Sequence, residues 1–227
     1  MQKPVDVRSV RKPRRLAAIA LVAAASMTAL SAQPAAAAAE DDAWNALAAL
    51  RQRLETASPL TAEFEQTFIA AGFDSGDVES GRVYIDLPAC LRWDYLGDFP
   101  NSLLLCGHLA HGWNEGEASG RRQFLGEGDE PGLDLLRLEV EELRKRYRAR
   151  LAERDGDLTA IELVAQEGRA GEVRDATLWF RAGETGPRAL SYRDVEGNRT
   201  HFDFGAYRPV TDRAVFSPPA EIEWLSD

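Results

Sequence analysis

The sequence predicts an α+β domain made of one large, curved antiparallel sheet and two amphipathic helices. Three observations lead to this prediction. Apolar residues recur at spacings of three and four near residue 50 and near residue 140, the period of a helix with one buried face. Elsewhere apolar and polar residues alternate, which is the period of a strand. Short turns separate the alternating stretches, and such turns join antiparallel strands.

The first 39 residues have the layout of a cleavable signal peptide. Basic residues come first, an apolar stretch runs from Leu16 to about Leu30, and small residues follow as far as Ala39. This order is the one that signal peptidase reads, and the apolar stretch is shorter than the ~20 residues of a membrane span. We expect cleavage after Ala39, by general secretion or by a twin-arginine route through Arg14-Arg15. No cysteine stands near that point to carry a lipid, so we expect residues 40–227 to form one unanchored domain.

The charge of the mature part argues against several classes of partner. The whole sequence has a net charge of −10, and the signal peptide is basic, so the mature domain carries about −15. Such a surface repels phosphate backbones and anionic headgroups. We therefore expect no nucleic-acid binding and no permanent residence on an anionic membrane.

The predicted first helix runs from Glu40 to Thr56 and ends before Pro59. Its apolar stripe consists of Trp44, Leu47, Leu50 and Leu54. The strands predicted after it are Leu60 to Phe68, Gly81 to Leu87, Leu91 to Tyr95 and Leu103 to Gly107, with a loop from Gly72 to Ser80.

The chain between Gly112 and Gly132 is polar and rich in glycine, so we expect a loop there with at most one weak strand. A second helix is predicted to open at Pro131-Gly132. Its stripe consists of Leu133, Leu136, Val140, Leu143 and Tyr147. About six further strands are expected between Leu151 and Leu225.

The two cysteines, Cys90 and Cys106, lie on neighbouring predicted strands. If the hairpin between them turns around Asp98, the two residues face each other. An oxidising compartment permits a disulfide at such a place. The alternative is a pair of buried free thiols.

Recognisable catalytic chemistry is missing from the sequence. We find no nucleophile elbow, phosphate-binding loop or zinc-protease motif, and we expect no enzyme activity and no cofactor. His108 and His111 have a spacing that suits metal binding on a helix, but they stand in a glycine-flanked strand or turn, so we expect no metal. The apolar sheet face is either a packed core or, if the helices cover it loosely, a pocket for an acyl chain. Patterning alone leaves both alternatives open.

Several segments form a set of motifs in a fixed order, and they are Leu50 to Leu54 with Leu60 to Gln66, Ser80 to Pro88, Leu91 to Tyr95, Leu103 to Gly107, Leu178 to Phe180, Asp194 to Thr200 and Val215 to Pro219. Together these motifs resemble those of the periplasmic lipoprotein carriers of the LolA type. The resemblance implies an incomplete, unclosed and curved antiparallel β-barrel with amphipathic helices as a lid over an apolar cavity. It also implies a monomer in the periplasm that takes acylated lipoproteins from an inner-membrane lipoprotein-releasing ABC transporter to an outer-membrane lipoprotein receptor.

The resemblance also assigns site residues. The cavity should be lined by Phe64, Phe68, Val83, Ile85, Leu87, Leu91, Trp93 and Tyr95. The lid should include Trp44, Leu47 and Leu50 from the first helix and Leu133, Leu136 and Val140 from the second.

The sequence departs from the family pattern at one position that matters for the lid. The family commonly has a basic residue before the strand-ending proline, where it helps to latch the lid, and this chain has Leu87 there. Arg92 and Arg82 are the candidates to replace it, although Arg92 should face away from Trp93. Alternatives to a lipoprotein carrier are a carrier of another envelope lipid, a sensor module on the same fold, and a hydrolase of envelope lipids.

Overall fold

The structure is a computed structural model that describes residues 33–126, 135–167 and 172–226, without the side chains of residues 33–37 and 153–155. Its two α-helices are α1 (Gln33–Ala57) and α2 (Val140–Arg146). The strands are β1 (Leu60–Ile69), β2 (Asp77–Asp86), β3 (Cys90–Leu96), β4 (Asn101–Cys106), β5 (Leu109–Asn114), β6 (Ser119–Phe124), β7 (Tyr147–Asp155), β8 (Leu158–Ala165), β9 (Val173–Arg181), β10 (Ala189–Asp194), β11 (Arg199–Phe204), β12 (Arg208–Pro209) and β13 (Glu223–Ser226).

All thirteen strands belong to one sheet that curves but does not close. Its order is β13-β6-β5-β4-β3-β2-β1-β11-β10-β9-β8-β7, with β12 beside β1. The pairs are antiparallel except that of β13 with β6. The large, curved and unclosed sheet with its two helices confirms the predicted fold class.

Alternation along the strands places the apolar core on the concave face of the sheet. In β1, the buried residues Leu60, Ala62 and Phe64 alternate with more exposed neighbours. The register continues this face across the adjacent strands, because Val83 pairs with Trp93 and directly opposite residues share a face. The same core is continued by Ile161, Leu163, Ala176, Leu178, Phe180, Leu190, Phe202 and Phe204.

Gly81 makes room for the aromatic centre of this core. It pairs with Phe64 across β1 and β2, and the Phe64 ring lies directly over it. A Cβ atom at position 81 would lie 2.4 Å from Phe64 Cζ and 2.3 Å from the Asp94 carbonyl oxygen. Phe64 can therefore pack edge-on against Trp93, with ring centroids 5.2 Å apart.

Helix α1 covers part of the concave face and packs against β7. Its buried residues follow the predicted stripe, and they are Ala43, Trp44, Leu47, Leu50 and Leu54. Within the described residues the helix already includes Gln33, seven residues before the predicted start at Glu40, because the alanine-rich stretch before Glu40 favours helix. Among the described residues, no helix combines the length and the apolarity that crossing a membrane requires.

The predicted second helix is wrong in extent. Leu133 lies outside the described residues, and Leu135 to Glu139 are not α-helical, so the helix begins only at Val140. Tyr147, which was expected on the helical stripe, is the first residue of β7. From there Tyr147, Ala149 and Leu151 alternate with arginines, so the period changes from a helix to a strand earlier than predicted.

One further expectation about the sheet is wrong, since β13 and β6 form a parallel pair where an antiparallel sheet was expected. The region after Gly112, where a loop with at most one weak strand was expected, contains the end of β5 and one further strand, β6. Strand β6 has a largely exposed sequence, so it shows no apolar alternation, and its backbone pairing holds it in place. The parallel pair of β13 with β6 arises because a long segment, not a short turn, leads into β13.

Replacing Gly81 with Ala should destabilise the protein, since the added methyl group would force Phe64 or the β3 backbone to move. We expect the free energy of unfolding in urea to fall by about 1–3 kcal/mol. The matched control is Gly97→Ala, where no atom lies within 4 Å of the added Cβ. Equal stability of the two variants would contradict the close packing of Phe64 on Gly81.

Candidate functional site

The candidate site is the apolar concave face and the lid over it. We define the lid as helix α1 together with residues 135–146, which include α2. Trp44, Leu47, Leu50 and Leu136 are buried, and Val140 is half-buried. Four of these five side chains pack in the main apolar core and Val140 packs against it, so both parts of the lid contact the sheet interior.

The predicted cavity residues lie together on the concave face. Six of the eight are buried, and they are Phe64, Val83, Ile85, Leu87, Leu91 and Trp93. Tyr95 is half-buried, and Phe68 is 37% exposed at the end of β1. Aromatic rings fill the middle of this surface, where Trp93 and Phe202 have centroids 5.0 Å apart.

The space between the lid and the sheet is nearly filled. A cavity of about 20 Å³ lies between α1, the 135–143 segment and β9. It is lined by Leu47, Leu50, Arg51, Leu54, Leu135, Leu136, Leu138, Val140, Leu143 and Leu178. Sites for small molecules usually measure about 300–1,000 Å³. Within the residues that the structure describes, the lid is therefore closed over β9, and an acyl chain can enter between α1 and the 135–143 segment only if the lid moves.

Polar groups at the open end of the concave face stay uncharged. The Tyr95 hydroxyl donates to Gln66 Oε1 at 2.7 Å. Burial raises the pKa of Tyr95 and, on β10, the pKa of Tyr192, because the phenolate would lose its hydration. Both phenols are therefore neutral at physiological pH. An apolar chain lying beside them would meet no ionised phenolate.

One buried cation, Arg51, holds the two parts of the lid together. Only 6% of the surface of Arg51 is exposed to solvent. Its Nη1 atom donates to the carbonyl oxygens of Leu136, Arg137 and Leu138, with distances of 3.4, 2.8 and 2.5 Å. Its Nη2 atom donates to Glu139 Oε1 at 2.8 Å. The forked guanidinium thus donates to carbonyl oxygens of a segment that lies outside any α-helix.

Arg51 is the functional residue that the sequence analysis missed. The signal was present, because position 51 lies four residues after Leu47 and three before Leu54, on the buried side of α1. A charged residue within an apolar helical stripe needs a partner in the interior. Glu55, one turn further on, supplies a carboxylate oxygen 3.0 Å from Arg51 Nε.

The two arginines that were candidates for the lid latch lie on the outer face of the sheet. Arg92 donates to Asp94 Oδ1 at 2.7 Å and to the Val215 carbonyl oxygen at 3.0 Å. Arg82 is largely exposed and lies 3.9 Å from Glu63. The side chains of both residues point away from the lid, so the suggestion that either replaces the missing basic residue at Leu87 is wrong.

Cys90 and Cys106 face each other across β3 and β4, as the hairpin argument expected. Their sulfur atoms form a disulfide, and their Cα atoms lie 4.3 Å apart. Cys106 Sγ also lies 3.8 Å from the Phe216 carbonyl oxygen, in the C-terminal segment. The disulfide therefore ties the hairpin on the outer face and does not line the apolar interior.

The two histidines considered for metal binding have separate surroundings. His111 is buried edge-on against Trp224, with ring centroids 4.8 Å apart, and this burial lowers its pKa. The His108 ring lies 5.8 Å from that of Phe124. Within the described ranges, no three His, Cys, Asp or Glu side chains come together as metal ligands would.

A row of polar side chains on the outer face has the residue types of a catalytic triad. Ser191 Oγ lies 2.6 Å from His201 Nδ1, and His201 Nε2 lies 3.2 Å from Asp203 Oδ2. The three residues stand on adjacent strands with His201 and Asp203 open to solvent. Electrostatic catalysis depends on a site that excludes water. This row, on the face opposite the lid, therefore gives no support to the hydrolase alternative.

The curved sheet is unclosed, and its apolar concave face is covered by a lid. This arrangement defines a carrier type of fold. The family described as Outer membrane lipoprotein carrier protein LolA matches residues 55–218, well over half of the chain. The chain belongs to this family. No curated protein sequence matches it.

Solved structures with a similar fold share little sequence with this chain. A LolA superfamily protein from Nitrosomonas europaea is 10% identical, with 75% of this chain and 96% of that chain covered and a TM-score of 0.40. A putative outer membrane lipoprotein-sorting protein domain from Vibrio parahaemolyticus is 12% identical, with coverages of 78% and 97% and a TM-score of 0.44. LprF from Mycobacterium bovis is 10% identical, with coverages of 78% and 95% and a TM-score of 0.38.

Replacing Arg51 with Gln should loosen the lid, because the carbonyl oxygens of residues 136–138 would lose a charged donor. Charged hydrogen bonds contribute about 1.5–3 kcal/mol each, so we expect local opening to become at least tenfold more frequent. Hydrogen exchange measures this at the amides of Glu142 and Leu143, which donate to the Glu139 carbonyl oxygen.

The matched control is Arg53→Gln, on the same helix. Arg53 donates to the Glu184 carbonyl oxygen and not to the lid segment. Exchange at Glu142 and Leu143 should stay at the wild-type rate in this variant. Equal acceleration in both variants would show that loss of any α1 arginine loosens the lid.

Proposed function

We propose that this protein is a periplasmic carrier that binds the acyl chains of lipoproteins beneath its lid and moves them from the inner to the outer membrane. In this proposal the signal peptide is removed after Ala39, and residues 40–227 work as a monomer. The protein receives cargo from an inner-membrane lipoprotein-releasing ABC transporter and delivers it to an outer-membrane lipoprotein receptor. Family membership supports the carrier role.

The observation that carries the proposal is an apolar concave face closed by a lid that one arginine holds. Phe64, Val83, Ile85, Leu91 and Trp93 form a continuous apolar surface across three strands. The cover contains residues 136–139, which are not α-helical and whose hydrogen bonds to Arg51 can be exchanged for hydrogen bonds to water.

The energies involved allow an acyl chain to open the lid. Each methylene that leaves water contributes about 0.8 kcal/mol, so one long acyl chain gains on the order of 10 kcal/mol. Opening sacrifices the hydrogen bonds of Arg51, worth about 1.5–3 kcal/mol each, and part of the apolar contact between lid and sheet. Cargo binding can therefore drive opening, and release of the cargo lets Arg51 restore the closed lid.

The same arrangement would suit another envelope lipid with acyl chains. The concave face recognises chains through apolar contact, which does not distinguish a lipoprotein from a phospholipid. The loading experiment below therefore includes both kinds of ligand, and binding of the phospholipid alone would identify the cargo as another lipid.

A charge placed on the lining of the lid should weaken loading. Val140 lines the small cavity and stands in the first turn of α2, where an aspartate suits the helix. We expect Val140→Asp to bind a synthetic triacylated lipopeptide about tenfold more weakly than the wild type, since an apolar contact worth about 1.5 kcal/mol is lost. Native mass spectrometry of the mature protein with the lipopeptide measures loading.

Val164→Asp provides the matched control, because Val164 is an exposed residue of β8 outside the lid and its cavity. It should load like the wild type. A wild-type protein that takes up neither the lipopeptide nor phosphatidylglycerol would contradict the carrier proposal. Equal weakening in both variants would contradict the role of the lid.

A further inference from the structure

A basic strip runs from the end of the lid into the edge strand of the sheet. We use this name for Arg144, Lys145, Arg148 and Arg150. The seven residues from Arg144 to Arg150 contain five basic residues and no acidic residue, within a domain that is otherwise strongly acidic. Three members are well exposed, since the side chains of Arg148, Arg150 and Lys145 are 71%, 68% and 65% accessible to solvent.

The strip is held at present by acidic residues of the protein itself. Arg148 Nη1 lies 3.3 Å from Glu40 Oε2, and Arg144 Nη1 lies 3.8 Å from Asp41 Oδ1. The Arg144 guanidinium also lies over the Trp44 ring, 5.3 Å from its centroid. Exposed ion pairs of this kind are worth about 0–1 kcal/mol, so another anion can displace Glu40 and Asp41.

We propose that the basic strip binds the anionic headgroups of a membrane and sets the lid against the bilayer. Each basic side chain near an anionic membrane contributes about 1 kcal/mol, and the strip presents several at once. The rest of the acidic domain is repelled by the same surface. Because the membrane repels the rest of the protein surface, the protein contacts the membrane in one orientation. The same repulsion keeps the contact short-lived, as a carrier between two membranes requires.

The position of the strip ties this contact to the proposed carrier function, on which the inference rests. Helix α2 belongs to the lid, and β7 follows it directly, so a bilayer bound at the strip would contact the lid itself. Glu40 and Asp41 belong to α1, the other half of the lid. Headgroups that take their place remove two contacts between α1 and the α2–β7 segment.

Flotation of the cargo-free mature protein with vesicles tests the proposal. We expect binding to vesicles of phosphatidylcholine with about one-third phosphatidylglycerol, and none to phosphatidylcholine alone. The Lys145→Gln, Arg148→Gln double variant should bind roughly 25-fold more weakly, at about fivefold per lost charge. Replacing Glu40 and Asp41 with Gln and Asn should strengthen binding, since it removes two of the four carboxylates that pair with the strip among the described residues, and Glu142 and Glu162 remain.

The matched control is the double variant Arg188→Gln, Arg213→Gln. Both arginines are exposed, and each forms an ion pair outside the strip, with Glu184 and with Asp86. This control makes the same change in net charge and should bind no more than about twofold more weakly than the wild type. Equal losses in the two double variants, or a wild-type protein that ignores phosphatidylglycerol, would overturn the proposal.

Lipopeptide loading separates this inference from the carrier proposal. Loading of the wild-type protein with the triacylated lipopeptide is therefore measured in vesicle-free solution, where a membrane contact plays no part. Normal loading without any vesicle binding would overturn the membrane contact and leave the carrier proposal standing. Vesicle binding without loading would overturn the carrier proposal and leave the membrane contact standing.

Discussion

The closed state of this protein depends on the burial of one positive charge. Arg51 lies on the apolar side of α1, where an unpaired guanidinium would be strongly destabilising. Besides Glu55 on the same helix, its partners are three consecutive carbonyl oxygens and the Glu139 carboxylate, which lie in the segment that leads into α2. The position of that segment is therefore coupled to the charge. The segment can leave only if Arg51 finds water or other acceptors.

The sheet beneath the lid keeps its packing, whereas the position of the lid depends on the hydrogen bonds of Arg51. The aromatic centre of the sheet depends on Gly81, which lets the Phe64 ring approach the backbone closely. The disulfide between Cys90 and Cys106 fixes the β3–β4 hairpin on the outer face. The strands that carry Val83 and Trp93 thus keep their shape while the cover changes. A rigid apolar surface and a cover held by polar hydrogen bonds can bind and release chains without unfolding.

Alternation in the sequence was enough to predict the central strands. The side chains of Phe64, Val83, Ile85, Leu91 and Trp93 are each buried on the concave face because large apolar residues stand at every second position. Pairing around a hairpin was also enough to place Cys90 opposite Cys106. These features depend on the local spacing of apolar residues and on short turns, and a single sequence displays both directly.

The features that were missed depend on tertiary contacts. The parallel pairing of β13 with β6 joins two strands that lie far apart in the chain. The short α2 was overestimated because Tyr147 continues the helical spacing while it belongs to β7. Arg51 stands on the buried side of α1, but its acceptors lie more than eighty residues away in the chain, so the sequence does not show which segment it binds.

The central claim is that acyl chains occupy the concave face only when Arg51 releases the lid. A crystal structure of the mature protein with a bound triacylated lipopeptide tests it most directly. We expect the chains to lie between the lid and the surface formed by Phe64, Val83 and Trp93, with the hydrogen bonds from Arg51 to residues 136–138 broken. Chains bound elsewhere, or chains bound while those hydrogen bonds remain intact, would contradict the claim.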